Sequence, residues 1–406
     1  MPCQNPAPMI SFSRYARLLA LPDLKATIVA SAIGRLPVGI ASLAILLLCL
    51  QQSGSYARAG ATTAGYFVGL ASVAPFIGRL IDRRGPTTIL RACGALYPTA
   101  LGGLVAVVVA GWPLLFVLPL AAAAGASFPP ITVCMRTLLK RRLGDDALLT
   151  TAYSLESVLI ESLFILGPMI VGAFVALGSA IWAVALAALS GTVGTMFFLR
   201  TPPLLHWYIE PRRASSLFGP LRELQFLRVL GVVLCYSAAF GLVEIGTTAF
   251  ATEAGAPAFA GVLLGLMSIG SVLGGLAYGS RSWHIPLERQ FAIVLALMGL
   301  GIAPLALTSV PWIFGPLAVV AGIVMAPALT IQSMLIAKTA LPEHSTEAFT
   351  WSATALIAGI ALGVAVGGAL LANGTSRIVL CAATGATFAG ALAAGLGLKQ
   401  LRQYFQ

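Results

Sequence analysis

Charged residues are scarce in this sequence. Asp, Glu, Lys and Arg together make up 9% of its 406 residues, whereas 59% are hydrophobic and the mean hydropathy is +0.96. Soluble globular domains carry about 25% charged residues, so the composition excludes that class. The apolar runs are about 20 residues long, which is the length that a helix needs to cross a bilayer. They lack the alternation of barrel strands, and we therefore predict an all-α integral membrane protein.

Residues that carry metal or catalytic chemistry are equally few. The three histidines stand at no metal-ligand spacing, and neither do the six cysteines, which we interpret as packed free thiols. The sequence also lacks the G-x-x-x-x-G-K-[ST] loop that ATP-driven pumps need. We therefore predict that the protein is not an enzyme and that it uses no metal or organic cofactor.

Twelve apolar runs are long enough to span a membrane, and short connections join most of them. Only residues 201–224 are polar and long enough to form a linker, which separates an N-terminal half (1–200) from a C-terminal half (225–406). The predicted spans are residues 25–50, 61–82, 87–110, 113–137, 147–177, 179–199, 225–252, 258–279, 287–308, 311–338, 345–373 and 376–398.

Basic residues are concentrated in the two tails and in alternate loops, such as Arg79–Arg91 and Lys140–Arg142. The intervening loops hold only Arg58 and Arg377. Loops rich in Lys and Arg stay in the cytoplasm, so we expect both termini there, in a bacterial cytoplasmic (inner) membrane. This distribution also explains the net charge of +11 without nucleic acid as a partner.

The two halves resemble each other. A shift of about 196 residues aligns Ala64–Leu80 with Ala260–Leu276, and Thr151–Glu156 with Glu347–Ser352. The second span therefore matches the eighth and the fifth matches the eleventh, which predicts two pseudo-symmetric six-helix bundles.

The loop between the second and third spans reads G-R-L-I-D-R-R-G-P-T, with Gly78, Asp82, Arg83 and Gly85 at fixed spacing. It is similar to the signature G-x-x-x-D-[RK]-x-G-R-[RK] of the major facilitator superfamily, with Pro and Thr in place of the last two basic residues. The resemblance covers essentially the whole chain. It implies a twelve-helix secondary transporter that moves a small-molecule substrate by alternating access, as a monomer in the lipid bilayer.

By this resemblance, Asp82 and Arg83 belong to a cytoplasmic gate. Asp82 would accept charge-assisted hydrogen bonds from the start of a facing helix and so hold the outward-facing state closed. The equivalent stretch of the second half has Tyr278 at the position of Asp82, so we predict a latch on one side only. The alternative is that these charges only anchor the topology.

Four charged residues fall well inside spans, namely Arg35 in the first, Glu156 and Glu161 in the fifth, and Glu244 in the seventh. A charge at that depth costs at least a few kcal/mol, so each needs a reason. Glu156 and Glu161 are five residues apart and point about 140° from each other, so at most one faces the cavity, and we favour Glu161. All four are candidates for substrate binding or proton coupling.

Proton coupling requires a carboxyl group whose surroundings change. Low dielectric favours the protonated form, whereas a nearby arginine such as Arg35 favours the ionised form. The alternative is a static buried ion pair that fixes helix register. Three acidic groups and one basic group make the spans net negative, which favours a cationic, zwitterionic or neutral cargo.

Prolines interrupt the fourth and tenth spans at corresponding points, Pro129 and Pro130 in one and Pro327 in the other. Discontinuous helices at matched positions indicate a binding site, although a simple kink is the alternative. Two further residues receive structural interpretations. Arg136 at the end of the fourth span is expected to reach the cytoplasm. Tyr153 is expected to be an interfacial anchor, with cavity lining as the alternative.

Gly167, Pro168 and Gly172 resemble the G-P-x-x-G-G end of the fifth-helix motif of antiporters in the family. Small-residue helix packing explains the glycines equally well.

The leading hypothesis is thus a proton-coupled exporter of a small organic solute, driven by the proton gradient. The alternatives are a proton-coupled importer, with Arg35 gripping a carboxylate, and a non-transporting sensor.

Overall fold

A computed structural model of the chain describes residues 13–207, 219–256, 259–341, 344–371 and 374–397. The expected all-α membrane architecture is confirmed within these residues, where twelve helical stretches are long and apolar enough to span a membrane. The helices are α1 (Ser13–Ala20), α2 (Pro22–Ser53), α3 (Tyr56–Arg84), α4 (Pro86–Val109), α5 (Leu114–Ala126), α6 (Ile131–Arg142), α7 (Asp146–Ala176), α8 (Ile181–Leu199), α9 (Pro202–Leu205), α10 (Leu224–Glu253), α11 (Phe259–Gly279), α12 (Leu287–Leu307), α13 (Pro311–Gly322), α14 (Met325–Thr339), α15 (Ser345–Leu371) and α16 (Ser376–Gly397).

Helix pairing is the same in the two halves. In the first, α2 packs on α7 and α8, and α3 packs on α5; in the second, α10 packs on α15 and α16, and α11 packs on α13. Equivalent spans therefore pair in equivalent ways, as expected of a parallel repeat. The middle of the predicted linker, residues 208–218, lies outside the described residues, as do both terminal tails.

Local signals fix several helix ends. The Ser55 hydroxyl accepts a hydrogen bond from the backbone N–H of Arg58 at the start of α3, and Asp145 caps α7 through Ala147. Gly85 has a φ of 78°, a left-handed conformation that favours glycine, and it turns the chain from α3 into α4. Pro86 follows as the first residue of α4, where the missing N–H costs no hydrogen bond.

The fourth and tenth spans are each built from two helices. Pro129 and Pro130 separate α5 from α6, as the sequence predicts. The prediction for Pro327 is wrong in detail, because the break falls at residues 323–324 and Pro327 lies in the first turn of α14. A proline fits there because the first N–H groups of a helix have no partner within it.

Glycine lets α2 and α7 cross closely. A Cβ added at Gly167 would lie 2.2 Å from the carbonyl oxygen of Gly39, so only glycine fits without a shift of the backbone. A Cβ at Gly172 would meet nothing within 4 Å, and Pro168 is exposed. The packing role predicted for Gly172 is therefore not found.

Successive spans run in alternate directions, so the helix ends that carry candidate functional residues meet at one end of the bundle. The helices α3, α6, α11 and α14 end there, and α4, α7, α12 and α15 begin there, next to the described parts of the linker. We call this end the linker face and the opposite end the far face.

Candidate functional site

Asp82 joins the two halves at the linker face. It lies in the last turn of α3, where Oδ1 accepts a hydrogen bond from the backbone N–H of Thr346 (3.1 Å) and Oδ2 accepts one from Glu347 (2.8 Å). These N–H groups belong to the first turn of α15, where the positive end of the helix dipole favours a carboxylate. Asp82 is only 5% exposed, so water competes little for these bonds. Its gating role stays a prediction, but the geometry is that of a latch.

Two other residues of the signature, Gly78 and Arg83, differ in their contacts. A Cβ at Gly78 would lie 2.4 Å from Oγ1 of Thr350, so glycine allows α3 to approach α15 closely. Arg83 is exposed, and no described residue forms a hydrogen bond or ion pair with it. Its predicted part in the gate therefore has no contact to support it in this conformation.

A second contact, between α7 and α11, lies at the pseudo-symmetric position. The Thr151 hydroxyl donates to the carbonyl oxygen of Gly279 (2.6 Å), and the Ser154 hydroxyl donates to that of Gly275. Tyr15 of α1 adds a hydrogen bond to the carbonyl oxygen of Leu276 (3.1 Å). Burial raises the pKa of Tyr15, so its hydroxyl remains a donor at neutral pH. This contact contains no charged residue. The charged latch is therefore found only on the α3–α15 side of the described residues.

Two lysines add cross-half contacts at the same face. Lys140 donates to the carbonyl oxygen of Ala340 (2.9 Å), and Lys338 pairs with Asp146 (2.7 Å) at an exposed position. These hydrogen bonds and this ion pair join the two halves at the linker face. The conformation is thus closed at the linker face.

Arg35 and Glu156 form a buried ion pair just behind these contacts. Nη2 of Arg35 lies 2.6 Å from Oε2 of Glu156, and the two side chains are 1% and 2% exposed. The partner of Arg35 is therefore Glu156 and not Glu161. The reason is the rotation of α7, which turns residue 156 toward α2 and residue 161 away from it.

Arg136 belongs to the same site, and the expectation that it reaches the cytoplasm is wrong. It is 8% exposed and interacts electrostatically with both Glu156 and Arg35. The cause is tertiary packing, because α6 is enclosed by α2, α7, α14 and α15. We call Arg35, Arg136 and Glu156 the charged cluster.

Tyr153 covers the charged cluster and is not an interfacial anchor. It is fully buried, its hydroxyl donates to the carbonyl oxygen of Arg136 (3.0 Å), and its ring meets that of Phe349 on α15 edge to face. One turn further along α7, the Ser157 hydroxyl accepts a hydrogen bond from Thr330 of α14 (3.3 Å). The charged cluster therefore lies at the boundary between the halves.

The C-terminal half presents polar groups to this boundary. The Tyr236 hydroxyl donates to Oε1 of Gln332, whose Nε2 donates to the Ser352 hydroxyl (2.6 Å). Tyr236 also lies near Arg136 of the other half. Gln332 is 1% exposed, and sequence reasoning missed it because a single amide in an apolar run gives no charge signal.

Glu161 and Glu244 lie outside the charged cluster. Glu161 is partly buried on α7, beside the hydroxyl groups of Ser268 and Ser271 on α11, so it bridges the two halves. Glu244 is exposed in the part of α10 nearer the far face. The four predicted charges thus divide into a buried pair, a carboxyl group between the halves and a separate carboxyl group. No group of three or more His, Cys, Asp or Glu residues that could hold a metal occurs among the described residues.

The sequence model of the Major Facilitator Superfamily matches residues 27–314, more than half of the chain. The chain belongs to this superfamily. Its fold is that of secondary transporters that work by alternating access. A search of curated protein sequences found no match.

Solved structures of the superfamily share the fold at low sequence identity. A bacterial homologue of the iron transporter ferroportin, in an outward-facing state, has a TM-score of 0.76 at 12% identity, covering 91% of this chain and 98% of its own. The human organic anion transporter MFSD10 (TETRAN) has a TM-score of 0.73 at 16% identity, with 92% and 99% covered. A variant of the E. coli fucose:proton symporter FucP has a TM-score of 0.67 at 12% identity, with 93% and 99% covered.

Proposed function

We propose that this protein is a proton-coupled secondary transporter that exports a small organic solute across the bacterial cytoplasmic membrane by antiport. The observation that carries the proposal is the position of the buried charged cluster directly behind the contact of Asp82 with α15. Alternating access needs a central site and a gate that separates it from one side. Here the helices that form the gate contacts, α3, α7, α11 and α15, are the same ones that enclose or adjoin the site.

The linker face is assigned to the cytoplasm because it carries the basic loops Arg79–Arg91 and Lys140–Arg142. The conformation described above is then the one closed to the cytoplasm. Export requires that this face open to load solute, which the loss of the Asp82 bonds and of the neutral α7–α11 contact would allow.

Glu161 is the proposed proton carrier. Its carboxyl group lies between α7 and α11, which belong to different halves, so its surroundings change whenever the halves move relative to each other. In this conformation two neutral hydroxyl groups face it and Arg35 is engaged elsewhere. A carboxyl group whose surroundings alternate in this way can bind a proton in one conformation and release it in the other.

The resemblance at Gly167 and Pro168 supports export, although the contact of Gly167 with Gly39 gives that glycine a packing reason as well. A proton-coupled importer is the second candidate. Glu161 is separate from the charged cluster, so a proton on Glu161 and a solute at the cluster can be bound at the same time, which favours the importer. The neighbour FucP is described as a symporter. We propose the proton gradient as the sole energy source, a monomer as the working unit, and no cofactor.

Liposomes that hold purified protein and an internal pH-sensitive dye test both coupling and direction. After the outside is made acidic, antiport predicts that the lumen acidifies faster when solute is loaded inside. Symport predicts the same effect only when solute is present outside. Pools of cationic, neutral, zwitterionic and carboxylate solutes identify the active class.

Glu161→Gln should remove solute-dependent proton movement, whereas the control Glu223→Gln, at an exposed position before α10, should retain it. Solute exchange without any proton movement in the wild-type protein would contradict the proposal. It would leave an exchanger or uniporter in which Glu161 has a structural or solute-binding role.

A further inference from the structure

The charged cluster contains more positive than negative charge. Arg35 and Arg136 contribute two guanidinium groups, and Glu156 contributes one carboxylate. With all three groups ionised, the cluster carries one positive charge in excess. Burial of an uncompensated charge is costly, so a site with this composition favours a negatively charged occupant.

Several hydrogen-bonding atoms of the cluster also have no partner among the described residues. They are Nε and Nη1 of Arg35, Nε of Arg136 and Oε1 of Glu156, all buried. Although Nη2 lies 2.6 Å from Oε2, neither atom has a hydrogen-bond partner among the described residues, so Glu156 satisfies Arg35 poorly. Guanidinium groups bind carboxylates best through two parallel N–H donors.

The cluster becomes accessible when the halves separate. Tyr153 and Ser157 flank Glu156 on α7, and both contact the other half, through Phe349 and Thr330 respectively. Separation of the halves at the linker face therefore breaks both contacts. The guanidinium groups would then face the space between the halves.

We propose that the charged cluster binds a small organic anion, whose carboxylate takes the place of Glu156 between Arg35 and Arg136. This inference rests on the proposed function and names the class of its substrate. It reverses the cargo charge expected from the sequence, where Arg136 is not counted among the buried charges. Glu156 serves as an internal substitute for the cargo while the site is empty.

Chemical rescue tests the proposal with acetate as the probe. In purified full-length Glu156→Ala, sodium acetate should raise the thermal unfolding midpoint by several degrees relative to sodium chloride at equal ionic strength. Acetamide and methylammonium should not, and the wild-type protein should show no such difference. In Glu156→Ala combined with Arg35→Gln, acetate should bind about tenfold or more weakly. Combination with Arg142→Gln, at an exposed position on the same helix as Arg136, should leave acetate binding unchanged.

Absence of acetate-specific stabilisation, or its persistence after Arg35→Gln, would overturn the proposal. If Glu156→Ala does not fold, Glu156→Gln replaces it in the same unfolding assay. Sodium acetate should again stabilise this variant more than sodium chloride does, and an equal effect of the two salts would overturn the proposal. Proton movement driven only by amines would refute the anion site alone, whereas acetate rescue without any proton movement would refute the proposed coupling alone.

Discussion

Asp82→Asn should shift the protein toward the conformation that is open at the linker face. The carboxylate accepts two backbone hydrogen bonds at the start of α15 and is 5% exposed. Hydrogen bonds to a charged group contribute about 1.5–3 kcal/mol each. Asparagine retains one acceptor oxygen, leaves one N–H without its partner and carries no charge for the helix dipole. We expect a loss of about 2–3 kcal/mol, or roughly a 30- to 140-fold change in the conformational equilibrium.

Spin-label distance measurements report this equilibrium. Labels at Arg84 and Leu341, in a cysteine-free background, lie on opposite sides of the α3–α15 contact, and both positions are exposed. The wild-type protein should give mainly the short distance, and Asp82→Asn should give mainly the long one.

Asp146→Asn is the matched control, because Asp146 also bonds across the halves but is 68% exposed. Exposed ion pairs contribute at most about 1 kcal/mol, so its shift should not exceed about fivefold. An equal response of the two variants, or an unchanged distance distribution in Asp82→Asn, would show that burial of the Asp82 bonds does not hold the gate closed.

Two further predictions concern helix contacts. Gly167→Ala should lower the stability measured by thermal unfolding in detergent by about 1–3 kcal/mol, because its Cβ would collide with Gly39. Gly172→Ala, where the Cβ meets nothing, should be neutral or stabilise by up to about 1 kcal/mol, and equal losses would contradict the packing argument. Thr151→Val removes the neutral hydrogen bond to Gly279. It should shift the conformational equilibrium, as read from the label distances, by about 1 kcal/mol, which is less than the shift for Asp82→Asn. A larger shift than that of Asp82→Asn would place the main latch on the α7–α11 side.

The spans could be predicted because the bilayer imposes both their length and their apolar character. The discontinuity at Pro129 and Pro130 could also be predicted, because a proline interrupts a helix that would otherwise run through it. The break before Pro327 was misplaced by a few residues because a proline is tolerated within the first turn of a helix. Sequence alone does not show on which side of such a proline the interruption falls.

The charged cluster was only partly predictable. Arg35 and Glu156 stood out by their depth, but their pairing depends on the rotation of α7 about its axis, which spacing does not fix. Arg136 lies near a run of basic residues at the end of its span, so a solvent-directed side chain was the simpler interpretation. Its burial follows from four enclosing helices that are distant in the sequence.

Solute exchange and proton movement measured in the same liposomes test the central claim most directly. The account predicts a split between two variants once a transported solute is identified. Glu161→Gln should keep solute exchange and lose proton movement, because the carboxyl group is removed while the gate still closes. Asp82→Asn should lose both, because the gate no longer closes. Equal loss of exchange in the two variants would contradict the assignment of coupling to Glu161 and gating to Asp82.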